Sequence, residues 1–194
     1  MHISELDTPS VLVDLDVMER NLKRMADYCS ATGMQLRPHV KTHKVPELAL
    51  MQVALGAVGI TAAKTSEAAV MSAGGLTDIF IAYPILSAKK ADAVLALAET
   101  SRLSVSVDSF EAAECLARSS AAHNHDLPIL VEIDVGFGRC GVQSPEAAVD
   151  LALRIEKLAG AHFGGRSRYR ADRCGMGGSA ALSDRDSDPS VAGS

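Results

Sequence analysis

The sequence predicts an α/β chain: a parallel sheet covered by helices, forming a partial (β/α)8 TIM barrel of about six βα units. Three observations point to it. Short β-branched runs alternate with longer Ala-, Leu- and Glu-rich patterns from residue 1 to about 161, and strict alternation implies parallel strands joined by crossover helices. No GxGxxG follows the first run, where VLVDLDVMERN turns straight into a helix, which weakens the case for an open dinucleotide-binding sheet. Eight βα units take about 250 residues, so six units within a chain of 194 residues make the front of a barrel.

Taken in order, the first strand is expected at 10–14, before a helix at 16–32. The second strand, 35–40, leads to a helix at 46–55, where Pro46 suits the first turn. The third and fourth strands, 57–61 and 78–82, precede Ala-rich helices at 66–73 and 87–100 that open on Ser66 and Ser87. The fifth strand, 103–107, precedes a helix at 109–117, and the sixth, 128–134, precedes one at 145–158. Ser109 and Ser144 have the side chain an N-cap needs.

Residues 1–161 thus read as the barrel segment, and 162–194 read differently. Of those 33 residues 21 are Arg, Gly, Ser or Asp, with no Lys and no Glu, and Leu182 and Val191 are the only large branched aliphatics. Such a stretch buries too little apolar surface to offset the entropy of ordering, so it is expected to be a disordered tail. Shifted codons of a GC-rich gene give this residue mixture, so a reading-frame change is the expected source, with a natural flexible tail as the alternative.

Composition excludes several function classes. The net charge is −5, there is no basic run, and three Tyr, four Phe and no Trp leave little to stack on bases, so nucleic acid is not an expected partner. No apolar stretch approaches the roughly 18 residues that span a bilayer, and the start MHISELDTPS has no signal-peptide pattern. A cytoplasmic protein without a membrane partner is expected. Its four cysteines form no CxxC pair, as expected of reduced thiols.

The densest polar group is RPHVKTHK, residues 37–44, at the end of the second strand. Side-chain alternation sets Leu36, Pro38 and Val40 against the helices and sends Arg37, His39 and Lys41 to the barrel interior near its C-terminal mouth, where barrel active sites lie. Clustered basic groups disfavour each other's charged forms, and a neutral lysine amine can attack a carbonyl to form an imine. A solvated basic loop that binds phosphate is the alternative. Lys44 falls beyond the strand, beside the helix start at Pro46, so alternation favours Lys41. In VEIDVGFGRCG, residues 131–141, Glu132 and Asp134 point inward, and Gly136 and Gly138 permit a turn that brings Arg139 over the mouth. Asp134 is expected to orient Arg139 or to support this loop. Thr61, Lys64 and Tyr83 end the third and fourth strands, the edge suited to substrate contact.

These segments, with TPSVLVDLDVMERN, GITAAKTSEA and DIFIAYPI, resemble the D-threonine aldolase and D-serine dehydratase-like family of alanine racemase-type pyridoxal-phosphate enzymes, over residues 6–158. FGG at 163–165 still resembles the next barrel strand, while residue 166 onward matches nothing in that pattern. The resemblance implies a cofactor-holding barrel of the alanine racemase N-terminal type, with the family's C-terminal β domain absent here. It assigns Lys41 the covalent link to pyridoxal 5'-phosphate and Arg139 a place beside the cofactor's phenolic oxygen. His39 and His43 are expected to stack on the cofactor or hydrogen-bond near it.

The implied chemistry is a lyase reaction on D-configured 3-hydroxy amino acids: retro-aldol cleavage to glycine and an aldehyde, impaired in a chain that lacks part of the pattern. Elimination by a D-serine or 3-hydroxy-D-aspartate dehydratase-like route is the alternative, and a one-domain pyridoxal-phosphate carrier is a non-catalytic one. The resemblance also implies a divalent metal (Mn, Mg or Zn) acting on the substrate hydroxyl, with ligands outside this sequence, and a homodimer.

Overall fold

The computed structural model describes residues 2–169. Its helices are α1 (Leu15–Ala31), α2 (Pro46–Ala54), α3 (Thr65–Ala73), α4 (Ala88–Leu95), α5 (Phe110–Ala122) and α6 (Pro145–Ile155). Between them run β1 (Ile60–Ala62), β2 (Asp78–Ile81), β3 (Arg102–Val107), β4 (Leu127–Asp134) and β5 (Ala161–Tyr169). The strands form one sheet in the order β1-β2-β3-β4-β5, every pair parallel. This is the expected alternating α/β arrangement, consistent with part of a barrel.

Local chemistry explains most boundaries. Asp14 caps α1 by accepting the Val17 amide, and Ser109 and Ser144 cap α5 and α6 as expected. Helix α3 begins one residue before Ser66, at Thr65, and the pattern at 87–100 divides into α4 and a 3-10 turn, Ala96–Glu99. Helix α5 runs five residues past the expected end at 117, to Ala122. There Ser119 donates to Asp92 of α4 at 2.6 Å, a tertiary bond that no local pattern reveals.

Three expectations need correction. Residues 10–14 form no paired strand among the described residues, and Val11 is 95% exposed; extended backbone becomes a strand only when a neighbour takes up its amides and carbonyls. Residues 35–40 give a shortened ladder: Val58 N donates to Leu36 O and Thr61 N to Pro38 O before the chain turns at Val40. The change of composition at 162 does not end the sheet. Strand β5 pairs with β4 through Tyr169, and residues 166–169, expected to match nothing, lie beside Val131 to Asp134. Gly164 sits at the register shift opposite Ile129 and Leu130, where a Cβ would lie 2.9 Å from Pro128 Cβ. The rest of the expected tail, 170–194, lies outside the described residues.

The sheet has an apolar and a polar face. Ile60, Ile79, Val105, Ile129 and Val131 join Met71, Val94, Leu116 and Ile155 of the helices in one core. The alternate residues Thr61, Ser106, Glu132 and Ser167 are buried on the other face, the one a barrel encloses.

At the opposite end from the mouth, Arg37 Nη1 donates to Asp78 Oδ1 at 2.7 Å, and Arg102 binds Asp78 Oδ2. Arg37 therefore does not join the mouth as alternation suggested. Lys41 follows at the other end of the shortened ladder, in the 3-10 turn Val40–Thr42. Burial raises the Asp78 carboxyl, but the bonds from Arg37 and Arg102 outweigh it and hold the pKa below the ordinary 3.8. The depressed value makes the pair's stabilisation full above that pH and lost as pH falls through the folded-state pKa. Asp78→Asn is expected to cost about 1–3 kcal/mol at pH 7, since Arg37 is left half-buried without its anion. In thermal melts, the gap between wild type and variant should close below pH 3.8.

Candidate functional site

The site is built on two loops at the C-terminal edge of the sheet. The first follows the ladder at 36–39. Val40, fully buried, anchors a three-residue 3-10 turn, Val40–Thr42, and its carbonyl accepts the amides of His43 (3.2 Å) and Lys44 (2.8 Å). His39 Nδ1 accepts the Lys41 amide at 3.3 Å. Lys41 Nζ lies 5.1 Å from the centroid of the Tyr169 ring. Lys44 turns the other way: its Nζ is 3.6 Å from Glu67 Oε1, while Glu67 Oε2 accepts the Ala63 amide at 2.9 Å.

The second loop leaves β4 at Asp134. One carboxylate oxygen, Oδ1, accepts the amides of Gly136, Phe137 and Gly138 at 2.9–3.1 Å, and Oδ2 accepts the Gln143 side chain. Gln143 and these amides hold the Asp134 carboxyl below the usual carboxylate range. This supports the expected loop-holding role. The loop's return is fixed by Asp108, which accepts the Gly141 amide, and by Val142, which pairs with β4. Arg139 then lies with its guanidinium 4.6 Å from the Tyr169 ring and 4.9 Å from that of Phe137. The two rings meet edge to face at 5.2 Å.

Lys41, Arg139 and Tyr169 thus form one group, with His39 and Thr61 beside it. Among the described residues no carboxylate pairs with Lys41 or Arg139. Burial, and then the Lys41 charge, lower the His39 pKa to about 4, against the opposing pull of Glu67 and the Thr61 carbonyl. Thr61 is 1% exposed and its hydroxyl has no hydrogen-bond partner among the described residues; the same holds for the Ser106 hydroxyl. Glu132, inward as expected, accepts the Ser167 hydroxyl at 2.6 Å.

The other expected site residues lie apart from this group. His43 accepts the Val45 amide beside α2, and burial lowers its pKa although Gln52 of that helix favours the charged form. Lys64 is exposed at the N-cap of α3. Tyr83 is half-exposed after β2, its ring 5.8 Å from Lys90 Nζ. Three residues went unnoticed in the sequence. Tyr169 was hidden in a stretch whose composition argued for disorder, and the aromatic six residues after Phe163 was its one signal. Glu67 lies inside the TSEA segment, which carried the resemblance without suggesting a role. Phe137 reads as a loop residue until Tyr169 is placed against it. Among the described residues no three His, Cys, Asp or Glu side chains gather as metal ligands.

The sequence is 37% identical over 167 residues to D-threonine aldolase of Arthrobacter sp., covering 86% of this chain and 44% of that protein. It is 36% identical to D-threo-3-hydroxyaspartate dehydratase of Delftia sp. strain HT23, covering 76% of this chain and 39% of that protein. Its fold superimposes on the crystal structure of D-threonine aldolase from Filomicrobium marinum with a TM-score of 0.82 at 38% identity, over 85% of this chain and 44% of the other. The chain therefore spans under half the length of these relatives. Residues 13–173 match the alanine racemase N-terminal domain, a span that takes in both loops and all five strands. This chain belongs to the alanine racemase N-terminal domain family.

Proposed function

We propose that this chain forms the pyridoxal-phosphate-binding face of a lyase acting on D-configured 3-hydroxy amino acids, by retro-aldol cleavage to glycine and an aldehyde. The observation that carries the reading is that Lys41 and Arg139, neither ion-paired with a carboxylate among the described residues, both lie against the Tyr169 ring at the C-terminal edge of a parallel sheet. This donor set suits the cofactor: an amine for its aldehyde, a guanidinium for its phenolate, and interior hydroxyls at Thr61 and Ser106 that have no partner among the described residues. When bound, pyridoxal phosphate supplies the aldehyde and an electron sink for the bond being broken.

The residues themselves have separable roles. Lys41, whose amine lies 5.1 Å from the Tyr169 ring, would hold the cofactor through its Nζ. Arg139, set against Phe137 and Tyr169, would supply the cation for the cofactor's ring oxygen. Lys64 and Tyr83, on the same rim, are proposed to meet the substrate, with Thr61 at the floor. Among the described residues no group of three His, Cys, Asp or Glu side chains is placed to hold a divalent cation. The same reading includes a cytoplasmic homodimer; no described helix is long and apolar enough to cross a membrane.

The test is direct. Purified chain is incubated with pyridoxal phosphate, reduced with borohydride, and mapped by peptide mass. Label on Lys41 is expected; unlabelled protein, or label confined to Lys44 or Lys64, overturns the reading. D-threonine and 3-hydroxy-D-aspartate are then supplied with and without Mn, Mg or Zn. Aldehyde release supports cleavage, and release of keto acid with ammonia would instead make the chain a dehydratase.

A further inference from the structure

His39 sits where three elements join. Its backbone bridges to Thr61 at the start of the mouth, its side chain is half-buried beside the Thr61 carbonyl, and the next residue, Val40, is fixed in the core. A single 3-10 turn satisfies few of its own amides, so its leading N–H groups need outside acceptors. For Lys41 that acceptor is His39 Nδ1. We infer that His39 is a positioning residue, whose imidazole caps the turn bearing Lys41 and so sets the direction of that amine toward Tyr169 and Arg139. The significance of that direction rests on the role proposed for Lys41.

The chemistry of the ring agrees with the geometry. An imidazole caps an amide only through an unprotonated nitrogen. The groups facing His39 are Lys41 on its own turn, Glu67 of α3, the Thr61 carbonyl of β1 and Arg139 of the β4 loop, and with burial they leave the ring neutral at ordinary pH. Nδ1 is then available as an acceptor throughout the neutral range. The Lys44–Glu67 pair holds the far end of the same segment, so the turn is tied at both sides of Lys41.

Three variants separate capping from direct contact with the cofactor. His39→Asn keeps an acceptor suited to capping and removes the ring; His39→Phe keeps a ring and removes the acceptor; His39→Ala removes both. Two readouts are taken on protein shown by thermal melting to be folded. One is amide hydrogen exchange of the 40–44 segment without cofactor, and the other is the rate of reducible labelling of Lys41 by pyridoxal phosphate. Loss of one hydrogen bond changes a local opening equilibrium by about tenfold. Ala and Phe should therefore exchange and label about tenfold away from wild type, faster in exchange and slower in labelling, with Asn within about threefold of it. Phe behaving as wild type, or Asn as poorly as Ala, overturns the inference. If wild type takes no label, the proposed function falls, while the exchange series alone still decides whether His39 caps the turn.

Discussion

Replacing Lys41 with alanine is expected to abolish the borohydride-reducible pyridoxal-phosphate adduct and to lower any turnover by about a thousandfold or more, because the proposed covalent nucleophile is gone. Lys44→Ala, three residues away, should retain the adduct. The contrast is geometric: Lys41 Nζ is 5.1 Å from the Tyr169 ring, whereas Lys44 is drawn to Glu67. Stability should barely change in Lys41→Ala, since its ring contact is worth about 0.5–1 kcal/mol at an accessible site. Peptide mass after reduction measures the first effect, and thermal melting the second. A Lys41→Ala chain that still carried label at full stoichiometry would move the nucleophile elsewhere.

Gly141→Ala is expected to have the largest effect on the architecture of the site. Gly141 has φ +107°, and a Cβ there would lie 2.7 Å from the Ile133 carbonyl carbon and closer still to the Asp134 amide. Left-handed strain contributes about 1–3 kcal/mol and the backbone clash a similar amount, so a loss of about 2–5 kcal/mol is expected in urea or thermal unfolding. Any relief must come from moving the loop off β4, which carries Arg139 away from Tyr169. Affinity for pyridoxal phosphate should then fall at least about tenfold, the equivalent of one charge-assisted hydrogen bond. Gly138→Ala is the comparison. Gly138 also has a positive φ, +68°, but open space around it. That variant should lose about 1 kcal/mol and keep most of its affinity. Equal losses in the two variants would show that strain alone, and not the close approach to β4, governs the loop.

Much of this was readable in advance where a single segment carries its own signal. The six helices follow from apolar spacing and from caps such as Ser109 and Ser144, and β2 to β4 from short β-branched runs between them. Alternation and the following proline, both local facts, separated Lys41 from Lys44, but the 3-10 turn Val40–Thr42 that carries Lys41 was not readable. The second half of strand β5, beyond FGG at 163–165, was not readable, since RSRY has neither apolar alternation nor β-branched residues. Its order comes from β4, through the paired backbone, the Ser167–Glu132 bond and the Tyr169 ring beside Phe137 and Arg139. Residues 10–14 failed in the opposite sense: their sequence suits a strand, but no described neighbour pairs with it.

Sequence by itself determined the alternating α/β order and the face that each strand residue takes, because these depend on periods of two and 3.6 residues along one stretch of chain. Tertiary structure decided which polar groups meet. Arg37 went to Asp78 instead of the mouth, His39 to the Lys41 amide, and Arg139 to a tyrosine on the neighbouring strand. The physical reason is that strand register and loop closure set the distance between groups far apart in the chain. Both are fixed by backbone pairing and core packing across the sheet, which no local window of residues encodes.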